Sequence, residues 1–191
     1  MEKKHNIEVR AKSAKNVADS SGFFKPLFES FAKSMNILSV DPDGWMSRDV
    51  AFKSFSFFSK LLGPNALYRM GKSVGKNILT IKLIDTFDQA VLNLDKVYHL
   101  NHRQDGKVMY DIETGEIIDT IGHYNTFKIT DNEFRVEVSS PYPCEFDRGL
   151  IEEYVRKYIG NKDVHVRHKP GSPCKKNGMD ICSYTITILD F

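Results

Sequence analysis

Glu133-Phe134-Arg135-Val136-Glu137-Val138 places an apolar residue at every second position between charged ones. That is the pattern of a β-strand with one face buried and one in water. Before it, Asp131-Asn132 is hairpin-turn chemistry, which returns the chain from a strand running from His123 to Ile129. After it, residues 139–143 break the strand, and Glu145 to Ile159 sets Phe146, Leu150, Ile151, Tyr154, Val155 and Tyr158 on one helical face, closed by Gly160-Asn161. Val164 and Val166 then alternate with Asp163, His165 and Arg167. The chain ends with Tyr184, Ile186 and Ile188 alternating with Ser183, Thr185 and Thr187. The second half therefore predicts an antiparallel sheet with a helix between its strands.

The first half has another period. Phe24, Leu27, Phe28, Phe31 and Met35 recur at three- and four-residue steps within Ser21 to Asn36, the spacing of one helix face. Asp41-Pro42-Asp43-Gly44 is a turn, Ser47 is a candidate N-cap, and Val50, Phe52, Phe55, Phe58, Leu61 and Leu62 continue a helix until Gly63-Pro64. Pro64 suits the first turn of a further helix, and Asp85 to Leu100 repeats the helical signature. The whole reads as an α+β chain with a helical N-terminal half packed on an antiparallel sheet: a flexible segment over 1–20, then one ligand-binding domain over 21–191.

Composition narrows the function. Across 191 residues, Lys plus Arg number 27 against 25 for Asp plus Glu, a net charge of +2 without long one-sign blocks, which argues against a dedicated nucleic-acid binder. No apolar run reaches the length of a membrane span and the polar N-terminus lacks a signal-peptide core, so the expectation is a cytoplasmic protein. Three cysteines do not make a disulfide framework. Cys174 and Cys182 bracket a Gly-containing loop and Cys144 stands at a helix start. Such a trio can supply three thiolates to a tetrahedral zinc, or can consist of small buried thiols.

The run Pro143-Cys144-Glu145-Phe146-Asp147-Arg148-Gly149-Leu150-Ile151-Glu152, a β-rich gap, and Gly171-Ser172-Pro173-Cys174 through Cys182 resembles the four-vinyl reductase domain, a small-molecule-sensing family similar in fold to haem nitric-oxide-binding domains and trafficking-particle subunits. The resemblance implies a structural zinc on Cys144, Cys174 and Cys182. The family's acidic fourth ligand has no counterpart in Lys169 to Pro173, which leaves His168, a water or an external residue for that place. It also implies a cavity between helices and sheet, with His99 and His123 as the candidate ligand-binding residues, and a homodimer acting on a protein partner. Haem is disfavoured because no Tyr-x-Ser-x-Arg run occurs.

Enzyme readings find little. Gly-x-Gly-x-x-Gly is absent, Gly71-Lys72-Ser73 lacks the first glycine of a phosphate loop, and a cysteine nucleophile paired with His165 or His168 has no identifiable orienting group. The expectation is a non-enzymatic sensor for a small apolar or aromatic molecule. The competing reading is a ligand-free adaptor that works through its surface.

Overall fold

The computed structural model describes residues 5–12, 25–36, 39–41, 43–82 and 84–189. Phe23 and Phe24 of the first expected helix, Pro42 of the expected turn, and most of segment 1–20 lie outside these residues. In chain order the elements are β1 (Ile7–Arg10), α1 (Lys25–Ser34), β2 (Trp45–Ser47), α2 (Arg48–Leu62), α3 (Pro64–Asn77), α4 (Phe87–Leu92), α5 (Leu94–Leu100), β3 (His102–Gln104), β4 (Lys107–Val108), β5 (Tyr124–Lys128), β6 (Glu133–Val138), α6 (Cys144–Arg156), β7 (Asp163–His168) and β8 (Cys182–Leu189). The α+β class is as expected: a helical first half and a sheet-rich second half.

Strand β6 pairs antiparallel with β5 and β8, and β8 with β7, giving the sheet order β5-β6-β8-β7. Its alternation is realised: Phe134, Val136 and Val138 face inward beside Ile186, Tyr184 and Cys182 of β8, all with no exposed surface. Each such apolar burial contributes roughly 1.5–3 kcal/mol, so this register, and not one shifted by a residue, is the stable one.

Helix α2 starts where Ser47 accepts the Asp49 N–H at 3.3 Å, and α3 starts on Pro64. The single helix expected over Asp85 to Leu100 is two short ones that meet at Asn93, the first begun by a reciprocal Thr86/Gln89 capping box. Helices α3 and α6 cross with backbones nearly touching. A Cβ on Gly71 would fall 2.1 Å from the Phe146 carbonyl oxygen, and one on Gly149 would fall 2.1 Å from that of Tyr68. Gly71, whose neighbourhood superficially suggests a phosphate loop, is thus a helix-crossing residue.

A second sheet, β2-β1-β3-β4, closes the other end of the helical layer. Its central strand β1 lies in the segment read as flexible: Val9 pairs with Met46 on one side and His102 on the other. Strands of two to four residues are too short for alternation to reveal. Among the described residues no helix is long and apolar enough to cross a membrane.

Candidate functional site

Between the helices and the small β2-β1-β3-β4 sheet, with Tyr124 of β5 reaching its wall, lies a cavity of about 100 Å³. Aromatic and aliphatic side chains make most of its wall, among them Phe28, Phe55, Phe58, Met70 and Leu150. Phe28 and Phe58 stack with centroids 3.8 Å apart, fixing one side. The polar groups on the wall matter more for chemistry, because in an apolar surround each must be hydrogen-bonded or be costly.

Most are already engaged. The Tyr98 hydroxyl donates to the Ile121 carbonyl at 2.7 Å, and that of Tyr124 donates to Asp147 Oδ1 at 2.7 Å. His102, 5% exposed, donates from Nδ1 to the Tyr98 carbonyl (2.7 Å) and accepts at Nε2 from the Tyr142 hydroxyl (2.6 Å). That pairing requires the neutral ring, and burial pushes its pKa down to about 3. Two groups on the wall stand apart. Nε of Arg10 has no hydrogen-bond partner among the described residues, and the hydroxyl of the fully buried Tyr154 meets only that of Tyr158, one helical turn on.

His99 and His123 come together, with ring centroids 5.3 Å apart, but neither lines the cavity. They converge on Asp95. His123 Nδ1 lies 2.9 Å from Asp95 Oδ2 and its Nε2 2.9 Å from Asp119 Oδ1. His99 Nδ1 donates to the Asp95 carbonyl at 2.8 Å. The Asp95 hydrogen bond, against some burial, raises the His123 pKa, whereas burial lowers that of His99. Asp95 also accepts the Tyr124 N–H at 2.9 Å, so the cluster ties α5 to the start of β5. Trp45 stands in β2 and packs on Arg10, away from the histidines.

The three cysteines also converge. Cys182 Sγ is 3.0 Å from Cys144 Sγ and 3.7 Å from Cys174 Sγ, with Cys144 to Cys174 at 3.6 Å. The Lys175 N–H donates to Cys182 Sγ at 3.3 Å. Hydrogen bonding within the cluster lowers the Cys182 pKa and raises that of Cys144. His168 Nδ1 is 4.0 Å from Cys174 Sγ. The adjacent carboxylate, Glu145, is occupied by Arg148 at 2.8 Å and by Lys176, contacts that together with His168 hold its pKa below the usual range.

Sequence reasoning missed Arg10 and Tyr154 as cavity groups. Arg10 was hidden by the brevity of β1. Tyr154 was read on the apolar face of its helix, where a phenol counts as core.

No family model matches the sequence, and no curated protein matches it. Solved structures do match in fold. An H-NOX (haem nitric-oxide-binding) protein from S. oneidensis in the Fe(II)NO ligation state aligns at TM-score 0.61 and 14% identity, covering 94% of this chain and 99% of that one. The Shewanella oneidensis H-NOX domain in the Fe(II)CO state gives 0.62 and 14%, covering 94% and 98%. A structure concerned with modulating haem redox potential through porphyrin distortion gives 0.58 and 14%, covering 94% and 97%.

These matches correct two expectations. The resemblance to the four-vinyl reductase domain does not hold, since the matching structures are H-NOX domains and the cysteine spacing that suggested it reflects only where three loop and helix-start positions meet. Zinc as the cofactor falls with it. The matching structures are described with iron and haem, not zinc, and here the trio offers three mutually hydrogen-bonded sulfurs while the neighbouring carboxylate is already paired. The fold of this chain is the H-NOX fold.

Proposed function

We propose that this chain is a small-molecule-binding sensor domain whose ligand is a compact, largely apolar molecule held in the cavity between the helices and strands β1 to β3. The observation that carries the reading is the apolar cavity of about 100 Å³, walled by aromatic and aliphatic side chains, with the unmatched Arg10 Nε at its edge. Occupancy favours one packing of α2 and α3 over the sheet, and that population shift is read by a protein partner or a second copy of the chain. The likeness to H-NOX domains supports a sensing role through fold alone.

Haem itself does not fit these residues. An apolar cavity of roughly 150 Å³ accommodates benzene, and a porphyrin is several times larger than benzene. His102, the imidazole on the wall, has both nitrogens committed, and burial raises the pKa of Tyr154, opposing the phenolate that an iron ligand requires. The wall binds and orients; it offers no free base or nucleophile, so the reading is of a binder and not of an enzyme.

His99 and His123 enter this proposal through Tyr98 and Tyr124, their chain neighbours on the cavity wall, as the link between ligand and the α5–β5 junction. Cys144, Cys174 and Cys182 enter as a candidate soft-metal ligand set fastening the last loop to α6, which metal analysis of the purified protein tests.

The decisive experiment is thermal unfolding of the purified chain with increasing toluene, alongside a haemin titration read by absorbance. Toluene at a hundredfold excess over its Kd should stabilise the fold by about 2.7 kcal/mol, and haemin should give no saturable one-to-one Soret band. An unchanged melting temperature would return the chain to the adaptor reading, and a stoichiometric Soret complex would overturn the exclusion of haem.

A further inference from the structure

Trp45 carries a guanidinium near its ring on two occasions, and the two differ in one respect. Arg103, with Cζ 5.0 Å from the ring centroid, is saturated by a two-pronged pair with Glu8 at 2.6 and 2.9 Å. Arg10, with Cζ 4.3 Å from the centroid, has no carboxylate in ion-pair range among the described residues, and its Nε is buried without a hydrogen-bond partner. Asp43 acts on it only at a distance, and Arg103 repels it. Arg10 is also the cation on the wall of the apolar cavity.

The buried, unmatched Nε of this half-exposed guanidinium is costly, because it has lost water and nothing replaces it. Its flat fork matches a carboxylate in a two-pronged, charge-assisted pair. The position is held by construction. The Arg10 N–H bonds the Asn101 carbonyl at 3.3 Å and the next residue's N–H bonds the Gly44 carbonyl at 3.0 Å, so the strand fixes the base of the side chain while Trp45 fixes its plane.

We propose that Arg10 receives the carboxylate of a small monocarboxylic acid whose apolar body fills the adjoining cavity. This rests on the proposed function above and adds the ligand's chemical class. A single guanidinium fork matches one carboxylate, whereas a phosphate dianion needs a second cation, and Arg103 is taken by Glu8 while Arg48 does not line the cavity. Size sets the body: by comparison with the benzene-sized apolar cavity, it has about six carbons or fewer, aliphatic or aromatic.

Hexanoate, benzoate, hexan-1-ol and hexyl phosphate are titrated into the full chain by calorimetry, with the fluorescence of Trp45, the single tryptophan, as a local reporter. Hexanoate or benzoate should bind one-to-one, perturb Trp45, and bind at least tenfold more tightly than hexan-1-ol. Arg10→Gln should bring the acid down to the affinity of the alcohol and leave the alcohol unchanged. Equal affinities of acid and alcohol in the native chain, a requirement for no variant at all, would overturn the carboxylate assignment while leaving the apolar-ligand reading intact. Tighter binding of hexyl phosphate would overturn it in favour of a dianion. Failure of all four compounds would overturn both readings together.

Discussion

The polar groups around Asp147, behind Tyr124, and those on the cavity wall at Arg10 and Tyr154 are treated in opposite ways by this fold. Around Asp147, which has no exposed surface, every valence is used. Its Oδ1 accepts from the Tyr124 hydroxyl (2.7 Å) and Ser140 Oγ (3.1 Å), and its Oδ2 accepts from Lys175 Nζ (2.8 Å) and Ser140 Oγ (2.9 Å). Lys175 directs its two other hydrogens to the carbonyls of Ser140 (2.9 Å) and Tyr142 (2.7 Å). At the cavity wall Arg10 Nε has no partner among the described residues and the Tyr154 hydroxyl has only that of Tyr158. A saturated network specifies structure, and it pins β8's approach loop and the β6–α6 connection to the start of α6. An unsaturated donor beside a cavity is the group the proposed ligand would satisfy.

The largest effect should come from breaking the saturated side. Asp147→Ala leaves Lys175 and two hydroxyls without their acceptor and should cost about 3–5 kcal/mol of stability by denaturant unfolding, the range for removing one member of a buried charged pair. A loss below about 1 kcal/mol would place the Asp147 network among the surface ion pairs and dissolve the contrast.

The pH dependence sharpens the same side. Burial, opposed by Lys175 and the hydroxyls, raises the Asp147 pKa from 3.8 to about 6. The folded state then holds this proton more tightly than the unfolded chain. The group's contribution is greatest below pH 3.8 and is lost as pH rises through about 6, with a limiting slope of about 1.4 kcal/mol per pH unit. Stability of the native chain minus that of Asp147→Asn, which cannot titrate, should therefore fall with pH across this window. A flat difference curve would show that the carboxyl keeps its ordinary pKa.

How far the sequence reveals this contrast depends on the element concerned. Strands β5 to β8 and helix α6 were legible because each is long enough for its period to repeat, and the α+β class followed. Strand β1 was not: four residues in a polar, basic terminus carry no decisive alternation, and Arg10 was lost with it. The cavity wall lies one residue away from the expected histidines in both places. On helix α5, Tyr98 lines the cavity while His99, about 100° around the axis, does not, and Tyr124, the first residue of β5, lines it while His123 before it does not. Residue type favoured the histidines, whereas geometry favours the tyrosines. The cysteine trio was legible as a spatial cluster, but its family assignment was not, since three thiols meeting at a helix start say little about ancestry.

The smallest effect is the most discriminating. Tyr154→Phe removes a buried hydroxyl whose one polar neighbour is the Tyr158 hydroxyl, so it deletes a desolvation cost and at most one weak hydrogen bond. Stability should be unchanged or rise by up to about 1 kcal/mol, the reverse of the usual outcome for a core tyrosine. If the same substitution weakens binding of hexanoate severalfold while leaving toluene unaffected, the Tyr154 hydroxyl is a second donor for the ligand's polar head. If it destabilises the free chain by more than 1 kcal/mol, the hydroxyl is engaged in the folded state, and the cavity wall belongs with the Asp147 network as structure.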